Sequence, residues 1–359
     1  MNRKKFLKFS IYFAFFALLL GGVWGQTTCT WTGANGTDWD DVGNWDNGLP
    51  ALDNEPSIPV VASNWPSTVN TSMPTGWTSL TIDNGAQATI PVEISINSIT
   101  NNGDLTLDAN ITLSGSLTGT GTVSAGATTL TVSGDFAVNS FSAGTSTVNL
   151  GGTGTVSAHS FATLNITGGT RTLTGDVTAQ TFSSATGTNI AGAHNLIING
   201  NAVFGGTAGS GTALTSLRVS GTSKINADIT TTGIQTYGGD VTLGADVELT
   251  AKDGSDNLQT VIFKASIDGA KELTITGNAV FNGTVGGGTA LSLLSVTGTS
   301  TINTTTITTT GDQTYTGAVT LGADVVLTTD SIVTFNGTVA GNSNSLSITG
   351  DTVFGDEDT

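Results

Sequence analysis

The residues best suited to chemistry form an acidic group near the start of the chain: Asp38, Asp40, Asp41, Asp46, Asp53 and Glu55. Gathered carboxylates can hold a divalent cation, and a pair set about 5 to 9.5 Å apart can cleave a glycosidic bond. The spacing here does not reproduce an EF-hand loop, which needs ligands at fixed alternating positions and a bidentate acid at the twelfth. The expected role is a capping subdomain, with Trp39 and Trp45 packed over the first repeating unit and the acids facing water. A calcium site and a sugar platform built on the tryptophans are the alternatives.

The remaining candidates are scattered. His159 and His194 have Ala, Ser and Asn as neighbours and neither an adjacent acid nor a second metal-type ligand, which predicts surface or corner histidines. Arg218, Lys224, Lys264 and Lys271 align with Ser295, Thr301, Asn336 and Asn344 of a second copy of the same sequence, so they read as solvated surface residues. The acidic and amide positions do recur. Asp246 returns as Asp324 within Leu-Gly-Ala-Asp-Val, and Asn201 returns as Asn278 and Asp351 before a Val-Phe pair. A recurring corner Asp or Asn caps backbone amides, a structural role rather than a catalytic one. The Gly-rich tracts Gly151 to Gly154 and Gly286 to Gly288 read as corners, not ion or phosphate cradles. No catalytic, cofactor-binding or metal-ligating residue is assigned, and no cofactor is expected.

The elements that would position these residues are repeats. Residues 195–271 are copied in 272–344, and a third copy opens at Ser345 with SLSITGDTVF. Duplication at this length in a chain with 49 Gly and only 10% charged residues predicts stacked units that share one continuous core. From Thr78 onward, short β-branched runs alternate apolar residues with Thr, Ser or Asn at period two, and no stretch shows a helical apolar stripe. Phe141, Phe161, Phe182 and Phe204 recur at 20 to 22 residues. That is one coil of a parallel β-helix with a phenylalanine ladder inside, and the long repeat then holds three or four coils. An antiparallel sandwich or propeller is the competing fold, but Asn-Gly pairs do not stand at every strand junction. The fold class expected is all-β: a right-handed parallel β-helix with an irregular Trp-rich N-terminal cap.

Domain organisation follows. Basic Arg3, Lys4, Lys5 and Lys8, apolar Phe9 to Leu20 and small Val23-Trp24-Gly25 mark residues 1–25 as a secretory signal cleaved before Gln26, with a retained anchor as the alternative. The rest carries 6 basic and 27 acidic residues, which argues against nucleic acid as a partner. Residues 26–77, rich in Trp and Pro, read as an entry cap of turns rather than strands. Coils follow over 78–194, then the two copies and the opening of a third over 345–359. The lone Cys29 excludes an internal disulfide, leaving pairing between chains or simple burial.

Trp31-Thr32-Gly33, Gly36-Thr37-Asp38-Trp39 and Gly43-Asn44-Trp45-Asp46-Asn47-Gly48-Leu49-Pro50 resemble the entry segment of bacterial autotransporter and filamentous-haemagglutinin-like surface proteins. The downstream Gln313-Thr314-Tyr315 and Val333-Thr334-Phe335-Asn336-Gly337 units are similar to their stalk repeats. The resemblance implies a right-handed β-helix displayed outside the cell, although the chain shows no C-terminal translocator barrel. The expected function is an exported, non-enzymatic, adhesin-like stalk, extracellular or on the outer membrane surface. Its partners would be a host or environmental glycan or protein, and the incomplete third copy predicts either a fragment of a longer repeat protein or end-to-end self-association through that copy. A secreted carbohydrate-binding or polysaccharide-active β-helix is the alternative. Thr-rich strands such as Thr304 to Thr310 also admit ice binding, though the rows are irregular.

Overall fold

The structure is a computed structural model describing residues 28–50, 55–60, 64–69 and 77–355, and the chain folds as a β-solenoid of about 15 turns. The 1–25 segment and Asp53 lie outside the described residues. The named strands pair in parallel. Antiparallel contact among the described residues is confined to two isolated bridges, Trp31–Trp45 and Lys252–Leu258. The alternation read from sequence is what builds each strand: in Leu80, Ile82, Leu196 and Ile198 the apolar side chains turn inward and are buried, while Thr81 and Ile197 between them are half-exposed.

Strands stack into three faces. Face I runs through Asn195–Ile198, Ser216–Val219, Gln235–Tyr237 and Thr260–Phe263. Face II runs through Ala202–Phe204, Ser223–Ile225, Val241–Leu243 and Ile267–Asp268. Face III runs through Thr207–Ala208, Ile229–Thr231, Val247–Ala251 and Glu272–Thr276.

The sequence repeat does not hold a whole number of coils. Asn195–Ile198 lies in face I, but its counterpart Glu272–Thr276 lies in face III. The third counterpart, the start of Leu346–Phe354, lies in face II, reached through Ile267, Val285, Ile307 and Leu327. Eleven strand positions separate Leu196 from Leu273. The same number separates Leu273 from Leu346, with Val285 filling one position by a bridge and Val325–Phe335 crossing two faces. Each repeat is therefore three and two-thirds coils long, and each copy is turned by one face relative to the last. Short strands with the same in–out alternation serve any face equally, so the unit can end at any corner.

The phenylalanine ladder is correspondingly broken into pieces, which corrects the single ladder expected from spacing. Phe141 and Phe161 pack at 5.5 Å, but Phe161 pairs in register with Ala179, and Phe182 pairs with Leu164. Phe182 and Phe204 form a separate pair at 5.3 Å in face II. The corners between faces vary in length, so a 21-residue interval can fall one face over. Two longer stacks are regular: Tyr237–Phe263–Phe281 with interplanar angles of 12° and 2°, and Tyr315–Phe335–Phe354 with 13° and 14°.

The N-terminal segment is less irregular than its composition suggests. Thr28–Thr30 and Glu55–Ile58 pair in parallel with each other, and the latter with Ser79–Ile82, so both extend face III. Pro56 is accommodated inside its strand. Trp31, Trp39, Trp45 and Trp77 are buried with ring centroids 5.1 to 6.1 Å apart, continuous with the core.

Candidate functional site

Asp38, Asp41 and Asp46 of the entry segment are used locally. Asp41 caps the short 3-10 helix Val42–Asn44 by accepting from the Gly43 amide at 2.8 Å. Asp46 accepts from the Thr30 amide at 2.7 Å, and Asp38 accepts from the Thr68 hydroxyl. No group of three or more His, Cys, Asp or Glu suited to a metal occurs among the described residues. The tryptophans are not a sugar platform: they are buried, and the indole N–H groups of Trp31, Trp39 and Trp45 donate to the carbonyls of Asn64, Thr89 and Trp39. Burial of the ring faces removes the surface on which a sugar would stack. Cys29 is buried too, its thiol 2.8 Å from the Gly48 carbonyl.

The recurring corner residues have one common geometry. A side-chain oxygen accepts the backbone N–H of the coil above. Asn201 accepts from Thr222 at 3.0 Å and Asn278 from Thr299 at 2.9 Å. Asp246 accepts from Glu272 at 3.1 Å and Asp324 from Ser345 at 2.7 Å. Asp228, Asp240 and Asp268 do the same for Glu248, Ser266 and Gly288. These amides sit at corners or in the first two residues of a strand, where the ladder is interrupted and a backbone donor would otherwise lack a partner. The amide and hydroxyl of Ser345 hold the Asp324 carboxyl below the usual carboxylate range, and the amide and side chain of Asn195 do so for Asp176. The corner role is thus as expected, but equivalent corners of successive copies lie on different edges of the solenoid.

The histidines differ from expectation. His159 is buried, not loose on the surface, and it packs against Phe136, Phe141 and Phe161. Its Nε2 lies 3.0 Å from the Val138 carbonyl and 2.8 Å from the Ser157 hydroxyl. Burial pushes its pKa down, against the pull of the Val138 carbonyl. His194 does have an acidic neighbour, one coil away: its Nδ1 lies 3.9 Å from Asp176. Sequence adjacency cannot show a partner that stacking brings in from about 18 residues off.

Two buried polar arrangements were not legible as functional residues. Gln235 and Gln313 are fully buried, and each amide donates to a carbonyl of the next coil, Thr250 and Thr328 respectively, at 2.9 Å. The hydroxyls of Tyr237 and Tyr315 donate to the same amides at 3.0 and 3.2 Å, and burial pushes both phenols up. The recurrence of Gln-Thr-Tyr at inward positions of both copies is the signal that could have found them. Arg171 is also fully buried. Its guanidinium donates to the carbonyls of Val132 and Ser133 at 3.0 and 3.1 Å and to that of Gly134. Burial lowers it to about 10, opposed by Asp135, so it stays charged at neutral pH.

The cations remain dispersed. Arg218, Lys224 and Lys264 are exposed, and Lys252 pairs with Asp256 at 2.9 Å across its own turn. One depression of about 440 Å³ is lined by Glu93, Asp108 and Asn110, and another of about 440 Å³ by Asp228, Thr230 and the Thr207–Ala213 corner. Neither brings Lys, Arg or His beside its acid, and Asn110 and Asp228 are occupied as acceptors for Thr129 and Glu248. Comparison of the chain with protein-family models, with curated proteins and with solved structures returned no match. No helix among the described residues is long and apolar enough to cross a membrane.

Proposed function

We propose that this chain is an exported, surface-displayed, non-enzymatic β-solenoid that serves as an adhesin-like stalk or binding scaffold. The observation that carries the reading is the fate of its corner acids. Asp228, Asp240, Asp246, Asp268 and Asp324 each accept an amide from the coil above, so these acids serve to join coils. An acid–base mechanism needs a carboxylate free to exchange a proton with substrate and a partner of complementary role nearby. The basic and apolar first 25 residues support export, and the Thr/Ser-rich exterior supports life in water.

The test is surface proteolysis of intact cells of the native host, followed by mass spectrometry. Peptides from the solenoid released without lysis, with Gln26 or a close neighbour as the first residue, are the expected outcome. Retention inside the cell, or turnover of a polyuronide that is lost on a single Asp substitution, would sink the reading. A glycan and host-matrix array probed with the secreted form would identify the partner class.

A further inference from the structure

We infer that Asn110 is the acceptor of an N-linked saccharide, transferred from a lipid-carried diphosphate donor. The inference rests on the export reading, because an Asn-x-Ser/Thr triplet serves as an acceptor in a chain that leaves the cytoplasm. Among the described residues such triplets begin at Asn35, Asn110, Asn165, Asn282, Asn303 and Asn336. The stacking of coils makes them unequal. The side-chain nitrogens of Asn165, Asn282 and Asn303 donate to Asn149 Oδ1, the Phe263 carbonyl and Asn282 Oδ1 at 2.9, 3.0 and 2.9 Å, and that of Asn35 donates to Asp41 at 3.4 Å. Asn110 is held the other way round. Its Oδ1 accepts the Thr129 amide at 2.8 Å, and since a backbone N–H can be met only by the oxygen, Nδ2 is left as the free end. Asn336 also keeps a free nitrogen, but no described residue anchors its oxygen, and it lines neither depression.

The surroundings of Asn110 suit a sugar. It stands just before the strand Ile111–Leu113 and Thr112 stands within it, so the two side chains leave the coil on the same outer side, and both are exposed. One transferase can thus reach the nitrogen and the hydroxyl together. Beside them lies the depression of about 440 Å³ lined by Glu93, Asp108, Gly126 and Ala127. Its size falls within the range of small-molecule sites, about 300–1,000 Å³. The two carboxylates have no Lys, Arg or His on the lining, so they accept sugar hydroxyls and repel an acidic sugar. The first saccharide unit is therefore neutral. In the transfer, Nδ2 attacks the anomeric carbon, and the N–C bond forms as the bond from that carbon to the diphosphate oxygen breaks. The lipid diphosphate leaves with the electron pair, and the nitrogen gives one proton to a base of the transferase.

The test is tandem mass spectrometry of the full chain isolated from its native host, with the N-terminus read in the same experiment. Saccharide on the Asn110 side chain, beginning with a neutral sugar, in chains that start at or near Gln26 is the expected result. Thr112→Ala should abolish the modification and Thr112→Ser should retain it, and the exposure of Thr112 leaves the fold intact in both. Bare Asn110 in chains that start near Gln26 would overturn the inference and leave the export reading standing. Chains that start at Met1 and stay inside the cell would remove the export reading and this inference with it. An acidic first sugar, modification that survives Thr112→Ala, or equal modification of Asn165, Asn282 and Asn303 would also overturn it.

Discussion

Tyr315 occupies the position of Tyr237 one repeat later, yet the two phenols enter the core from different faces: Tyr237 pairs in register with Val219 and Phe263, Tyr315 with Val296 and Phe335. Each carries its own glutamine, Gln235 or Gln313, and each heads a stack of two phenylalanines. The assembly has been copied and set down one face away, buried throughout in the first copy and from Tyr315 to Phe335 in the second.

The paired assemblies predict paired energetics. Tyr237→Phe and Tyr315→Phe each leave a buried glutamine oxygen without its donor, and each should cost about 1–3 kcal/mol in urea unfolding. Gln235→Leu removes the donor to the Thr250 carbonyl and should cost a similar amount. A large effect in one copy with none in the other would refute the equivalence.

Arg171 predicts a local vulnerability. Arg171→Ala strips the Ser133 and Gly134 carbonyls of the guanidinium, leaves the Val132 carbonyl with the Gly151 amide alone, and opens a void, so a loss of about 2–5 kcal/mol is expected. Arg171→Lys should not restore it, because an ammonium lacks the planar fork that reaches all three. Gly154→Ala should also destabilise, since the new Cβ would lie 2.7 Å from the Gly134 backbone and 2.9 Å from Arg171 Nη1. Thermal unfolding of the three variants checks this.

Acid should loosen the solenoid in two stages. His159 has a folded pKa below its ordinary 6.5, so its neutral form favours the fold, and stability falls as pH drops below about 6.5. The Asp324 and Asp176 carboxyls are depressed in the folded state, so their contribution is full above the ordinary value of 3.8 and is lost as pH falls further. His159→Phe should abolish the first stage and leave the second. A pH series of unfolding midpoints in which the variant and the parent chain run parallel from about pH 7 to 5 would contradict this.

Much of the architecture was legible because period-two alternation and duplication are properties of the chain itself. Leu80, Ile82, Leu196 and Ile198 fall inward as their alternation requires, and Asn201, Asp246 and Asp324 cap amides as corner residues should. What escaped was register between coils. Phe161 and Phe182 are one coil apart by spacing but belong to different faces, because corner length is set by three-dimensional closure. For the same reason, His159 looked solitary although its aromatic box is drawn from neighbouring coils.

The solution shape is a further check. About 15 turns at the ~4.8 Å strand spacing give a rod roughly 70 Å long. Small-angle scattering should report an elongated particle, with β-type circular dichroism. A compact sphere would be incompatible with the stacking.

The one-face turn between copies makes the repeat a screw: each unit advances about 18 Å along the axis and rotates by a third of a revolution. A surface feature carried by every unit therefore winds around the rod instead of lining one side. Neighbouring copies of any such feature cannot be spanned by a single flat ligand. A partner approaching from any direction nevertheless meets one of them within three units, so duplication of this kind removes the distinction between a front and a back.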